Sequence, residues 1–268
     1  MVEIVAHRGS SGKFPENTMR AFIEAEKTQV DGIEMDVRFT KDKELVVIHD
    51  ETVDRTTDGR GKVSEYTLHD LKKLNAAANY SQYDKEEILT LKEYLDWASA
   101  TNLTLYIELK YSKDTYQEYE SDVLALLNEY DINDRLIISS FNPQGLKKLA
   151  KLAPELKLGL LYSKKIKHPD RYIKELGIDY LHPSKKITDK KLVKKALKNK
   201  IPIRVYTLNS EKEIKKYLKM NCSAIITDYP KRALSLRKQM VRRRSISCSI
   251  IVVILIYIIS ILRKNKAY

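Results

Sequence analysis

The sequence predicts an α/β chain folded as a (β/α)8 (TIM) barrel, and three observations predict it. Short apolar runs alternate with helix-period segments from Glu3 to a last helix near Pro230, and strands that alternate with helices form parallel sheets. There are eight such units, the number that closes a barrel. An open doubly wound sheet would carry a Gly-rich phosphate loop after its first strand, and no G-x-G-x-x-G is present.

Strand one is Glu3–Ala6 and runs into His7-Arg8-Gly9. A helix follows, with Asn17 as its candidate N-cap and Ala21, Phe22 and Ala25 as its apolar stripe. Strand two, Gly32–Val37, puts Ile33, Met35 and Val37 on one face and Glu34 and Asp36 on the other. Leu45–Ile48 is a further strand outside the count of eight, reached through Lys41-Asp42-Lys43. Residues 51–87 are polar and turn-rich, with local helix only around Leu68, Leu71 and Leu74. That is long for a connection and reads as a small functional insertion after strand two. From Thr90 the alternation is regular. Helices over Leu91–Ala100, Tyr116–Tyr130, Pro143–Ala153, Pro169–Leu176, Asp189–Asn199 and Glu211–Met220 each lead to a strand. Those strands are Leu103–Leu109, Leu136–Ser139, Leu156–Leu161, Ile178–Leu181, Pro202–Tyr206 and Ala224–Thr227.

The formal net charge is +13. The excess shows in Lys-rich helices such as Lys185–Lys200 and in residues 242–268, which hold six Lys/Arg and no acid. Nucleic-acid binding is not expected, because aromatic residues are scattered and no recognition motif appears. Anionic lipid or phosphate substrates fit the charge better. Met1–Ala6 lacks the basic-then-apolar pattern of a signal peptide. Cys222 and Cys248 make no disulfide framework, so a reducing cytosol is expected. No protein partner is implied. Ser245–Leu262 is apolar apart from a few serines and Tyr257, between Arg242-Arg243-Arg244 and Arg263-Lys264. The expectation is a C-terminal transmembrane helix. It divides the chain into a catalytic barrel over 1–240 and a membrane anchor over 241–268. The basic excess on its N-terminal flank then places the barrel on the cytoplasmic side of a single-pass anchor.

In a barrel, catalytic groups gather at the C-terminal ends of the strands. Those ends hold His7 and Arg8, Glu34 and Asp36, Glu108 and Lys110, and Tyr206, and His49 closes the extra strand. Carboxylates that share one face of apolar strands suit a divalent cation, either Ca²⁺ or Mg²⁺. Arg8 and Lys110 suit phosphate oxygens. Two histidines suit acid–base work near neutral pH. The set as a whole suits a phosphate ester. His182, at the end of strand six, faces the same mouth, whereas His69 and His168 read as surface residues.

The runs HRGSSGKFPENT, DGIEMDVRFTKDKELVVIHDETVDRTTDGRG, IELK, SFN, VYTLN and TDYP resemble, in order, those of the glycerophosphodiester phosphodiesterase family. The likeness covers about residues 3–235. It implies a (β/α)8 barrel that hydrolyses glycerophosphodiesters, with a metal, to sn-glycerol 3-phosphate and an alcohol. It implies His7 and His49 as the acid–base pair and Glu34, Asp36 and Glu108 as metal ligands. Arg8 and Lys110 become phosphate binders, with Phe141 and Tyr206 lining the pocket. It further implies attack on phosphorus by the glycerol 2-hydroxyl and a cyclic phosphate that water opens. Glu16 and Asn17 match the PENT segment, in a structural role or in support of the site residues. The position of Tyr206 is more often Trp in the family; Tyr keeps an aromatic wall and adds a hydroxyl. Some relatives of this fold cleave lysophospholipids as lysophospholipases D, a second possible substrate class. A barrel that only binds phosphate or lipid, tethered to the membrane, is the non-enzymatic alternative.

Overall fold

The computed structural model describes residues 1–242. Eight parallel strands form the sheet: β1 (Glu3–His7), β2 (Gly32–Phe39), β4 (Thr104–Leu109), β5 (Leu136–Ser140), β6 (Lys157–Tyr162), β7 (Tyr180–Pro183), β8 (Arg204–Val205) and β9 (Ala224–Thr227). The short β3 (Leu45–Val47) pairs antiparallel with the outer part of β2. The order is β7-β6-β5-β4-β2-β1-β9-β8. The edges β7 and β8 meet through the isolated bridges Leu181–Ile203 and Ser184–Tyr206, so the barrel is nearly closed. All eight predicted strands and the extra strand are present.

The helices are α1 (Met19–Glu26), α2 (Leu68–Leu71), α3 (Leu91–Ser99), α4 (Tyr119–Leu127), α5 (Pro143–Leu152), α6 (Pro169–Leu176), α7 (Lys190–Lys198) and α8 (Glu211–Met220), then a last helix over 230–242. They cover the outside of the sheet, except α2, which packs within the insertion. Their starts follow local chemistry. Thr90 with Glu93 and Ser210 with Glu213 form capping boxes, and Asp189 caps α7 through the Leu192 N–H. The core lies between helices and sheet. Ile33, Met35 and Val37 of β2 pack there with Phe22, Tyr94 and Leu95, all fully buried. That outward apolar face leaves Glu34 and Asp36 to the barrel interior, as the alternation along β2 requires.

Two expectations need correction. The cap of α1 is Thr18, which accepts from the Ala21 N–H, not Asn17. Asn17 sits in the left-handed region with its side chain turned to Asp36. The expected fold class also included a C-terminal transmembrane helix and hence a single-pass, membrane-anchored location. No helix among the described residues is long and apolar enough to cross a membrane. The last described helix instead carries Lys231, Arg232, Arg237 and Lys238, and Arg237 binds back to the Val2 carbonyl and Asp31. The apolar segment 245–262 lies outside the described residues. The fold is therefore the barrel, and the membrane anchor and the location built on it are withdrawn.

Candidate active site

Strand register builds the site. In the parallel ladders His7 lies beside Glu34, and Asp36 lies beside Glu108. Three buried carboxylates thus converge, with an oxygen of each within 4.8 Å of the others. Among the described residues no other group of His, Cys, Asp or Glu gathers in this way. Two cations are set against them. Lys110 Nζ is 2.9 Å from Asp36 Oδ1 and also contacts Glu108, while Arg8 Nε is 3.1 Å from Asp36 Oδ2. Asn17 Nδ2 donates to Asp36 Oδ2 at 2.9 Å.

The turn after β1 aims Arg8. Its φ is 53° and that of Gly9 is 79°, both left-handed. A Cβ on Gly9 would lie 2.6 Å from the Ala21 carbonyl carbon, so only glycine lets the turn press against α1. The turn delivers the Arg8 N–H to Glu34 Oε2 at 3.0 Å and its guanidinium to Glu16 at 2.8 Å.

Electrostatics divides the carboxylates. Burial, with Asp36 and Glu108 alongside, pushes the Glu34 carboxyl well above its ordinary range. Burial pushes Glu108 up to about 7, against the pull of Lys110. At Asp36 burial acts the same way, but Lys110 and Arg8 outweigh it and hold the carboxyl far below the usual range. Three acids against two bases leave room for one more positive charge. Hard, buried, convergent oxygens fit a divalent cation, so the trio can hold a metal ion.

Each histidine rests on its own carboxylate. His7 Nδ1 is 2.6 Å from Asp228 Oδ1, and its Nε2 is 4.0 Å from Glu34 Oε2. His49 Nδ1 is 2.6 Å from Asp50 Oδ1. Burial, with Arg8 and Lys110 near, lowers the His49 pKa, which keeps the ring neutral.

A cavity of about 160 Å³ joins these groups: His7, Arg8, Glu34, His49, Glu108 and Lys110 line it. Phe141, Leu161, Tyr206 and Ile226 give it an apolar wall. The Phe141 and Tyr206 rings meet edge to face at 6.1 Å, and Phe141 remains 47% exposed at the rim. A larger groove of about 520 Å³ runs outside, by Lys13, Phe14 and Lys231, but it holds no convergent carboxylates. His182 also lines the active cavity; it is buried against Gly159, with no partner for Nε2 among the described residues. Burial and Arg204 keep it neutral. His69 and His168 lie elsewhere: His69 on α2, His168 before Pro169 at the start of α6.

All nine predicted site residues therefore line or adjoin one cavity. Sequence reasoning missed Asp228 and Asp50, which hold the two histidines, and Asn209, whose Nδ2 donates to Asp228 Oδ2. Asp228 directly follows β9, the same end-of-strand signal that flagged Glu34 and Glu108.

Fold and site define the class: a barrel hydrolase with a carboxylate trio able to hold a metal ion between two fixed cations and two histidines. The sequence profile of the glycerophosphoryl diester phosphodiesterase family matches residues 7–232. A glycerophosphodiester phosphodiesterase from Caldanaerobacter subterraneus subsp. tengcongensis is 38% identical over 87% of this chain and 96% of its own. One from Bacillus altitudinis is 38% identical over 90% of this chain and 100% of its own. An Oleispira antarctica phosphodiesterase, solved with the product sn-glycerol 3-phosphate, superposes with a TM-score of 0.83 at 29% identity, covering 87% and 96% of the two chains. The chain belongs to the glycerophosphoryl diester phosphodiesterase family.

Proposed function

We propose that this chain hydrolyses glycerophosphodiesters to sn-glycerol 3-phosphate and an alcohol, using the nine cavity residues in the roles their chemistry fits. The observation that carries the reading is the pair of histidines, each fixed by its own carboxylate, in one cavity with Glu34, Glu108, Arg8 and Lys110, with Asp36 buried behind them. The product bound by the Oleispira relative supports the substrate class. Glu34, Asp36 and Glu108 would hold Ca²⁺ or Mg²⁺, which when bound screens the phosphoryl charge.

The chain's own groups supply the rest. Arg8 and Lys110 neutralise phosphate oxygens. One imidazole accepts the proton of the glycerol 2-hydroxyl as its oxygen bonds to phosphorus, and the other gives a proton to the departing alcohol oxygen. Water then opens the cyclic phosphate while the two rings exchange roles. Asp228 and Asp50 fix each Nδ1 as a donor and so free each Nε2 for this transfer. Phe141 and Tyr206 bound the space for the alcohol.

The test is release by the full chain of sn-glycerol 3-phosphate from glycerophosphocholine and, in parallel, of choline from lysophosphatidylcholine, in Ca²⁺, Mg²⁺ or EDTA. Metal-dependent release from glycerophosphocholine supports the reading. Turnover of the lysolipid alone moves the substrate to lysophospholipids. No turnover of either overturns the reading.

A further inference from the structure

Arg55 lies on the insertion, outside the barrel, yet its guanidinium spends every face of its fork on two active-site carboxylates. Nη1 donates to Glu16 Oε2 at 2.7 Å and Nη2 donates to Glu16 Oε1 at 2.7 Å. Nε donates to Asp50 Oδ2 at 2.6 Å. Asp50 holds His49 through its other oxygen, at 2.6 Å. Glu16 in turn accepts from Arg8 Nη1 at 2.8 Å, and Arg8 faces Asp36 at 3.1 Å. Contacts thus run without a break from the neutral His49 ring to Asp50, and from there charges alternate through Arg55, Glu16 and Arg8 to Asp36. The backbone of Arg55 is tied down as well: Asn79 Nδ2 donates to its carbonyl at 2.6 Å.

We propose that Arg55 is a positioning residue for the reaction, locking the His49–Asp50 pair in register with the Arg8–Asp36 wall. The inference rests on the roles proposed above for His49 and Arg8. Three observations carry it. The Glu16 contact is bidentate, which fixes direction as well as distance. Asp50 and His49 are each about one-third exposed, so packing alone does not set their rotamers. The Arg55 side chain is 47% exposed, so water screens its pairs and they add less to folding than buried ones would. An arginine whose whole fork goes to the support of a proton-transfer group is placed for chemistry. Lysine would not replace it, because one ammonium cannot reproduce the two parallel bonds to Glu16 together with the Nε bond to Asp50.

The experiment compares wild type, Arg55→Ala, Arg55→Lys, Glu16→Gln and the Arg55→Ala/Glu16→Gln double variant, each as the full chain. It reads kcat and KM for glycerophosphocholine at saturating cation, the melting temperature, and calorimetric affinity for the cation alone. A misplacement on the ångström scale costs up to about 10²-fold in rate. Arg55→Ala is therefore expected to lower kcat about 10–100-fold, with KM, melting temperature and cation affinity nearly unchanged. Arg55→Lys recovers only part of kcat, and the double variant is no slower than the worse single one, because both break the same link. A kcat for Arg55→Ala within twofold of wild type overturns the proposal. So does a loss of kcat accompanied by an equal loss of melting temperature or cation affinity, or full rescue by Arg55→Lys. An inactive wild type would instead sink the proposed function, which separates the two failures.

Discussion

Two polar clusters share the inside of this barrel, one at each end, and they are built to different rules. At the foot, where β1 and β8 begin, Tyr106 Oη donates to Glu3 at 2.9 Å and accepts from Arg204 Nε at 3.1 Å. The Arg204 guanidinium also lies 4.2 Å from the Tyr180 ring centroid. One acid and one base are joined there through a neutral phenol. At the mouth, three acids face Arg8 and Lys110, and burial drives two of those acids away from their charged form. The foot cluster balances itself, and the mouth cluster asks for a ligand. The contrast separates a buried charge that serves packing from one that serves chemistry.

The largest expected effect comes from breaking the mouth. Glu34→Ala should lower kcat by about 10³-fold or more, since a phosphoryl-screening cation supplies several kcal/mol. In EDTA its melting temperature should change little, because loss of the Arg8 N–H bond is offset by removal of a group whose charge its surroundings disfavour. A drop in both would make the trio structural and erase the contrast. The opposite pattern is expected at the foot. Arg204→Met should cost about 2–4 kcal/mol of stability, as a buried charged hydrogen-bond partner is removed. Its kcat, measured below the melting temperature, should stay within about threefold of wild type. Urea unfolding and steady-state kinetics on the same samples check both halves.

The next effect sharpens the difference through pH. Glu108, raised to about 7, shares its oxygens with a proton around neutrality. Cation binding must displace that proton, and any proton held by the raised Glu34, so apparent affinity should weaken by at least about tenfold per pH unit below 7. In EDTA the sign reverses. A carboxyl whose folded pKa lies above its unfolded value adds stability that is complete below the ordinary carboxylate range. That stability is lost as pH rises through about 7. Calorimetry across pH 5.5–8.5 reads the first trend, and thermal melts in EDTA read the second. The smallest effect belongs to the rim. Tyr206 Oη donates only to the Tyr162 carbonyl, at 3.3 Å. Tyr206→Phe should therefore change kcat/KM by no more than about threefold, with the ring wall preserved.

Much of the mouth was legible in the sequence because a barrel converts position along a strand into position in space. Once eight strands were counted, Glu34, Asp36, Glu108 and Lys110 had to meet at one end. The cap of α1 was misread because Asn17 and Thr18 both suit an N-cap, and only the folded site shows Asn17 drawn to Asp36. Asp228 escaped notice because its partner His7 is 221 residues away and the pair forms only when the barrel closes. The link from Arg55 to Glu16 crosses between an insertion and the loop after β1, and no periodicity encodes such a crossing. The foot cluster was invisible for a plainer reason: a lone Arg in an apolar strand looks the same whether it pairs inward or turns to solvent.

The measurement that tests the central claim most directly is calorimetric titration of the full chain with Ca²⁺ and with Mg²⁺, after EDTA treatment and at pH 8. It is run on wild type and on Glu34→Gln, which keeps the shape of the side chain and removes its charge. The mouth cluster as described here predicts one divalent site in the wild type, at least tenfold weaker in Glu34→Gln, with the melting temperature in EDTA unchanged. Equal cation binding by both proteins, or none by the wild type, would contradict it.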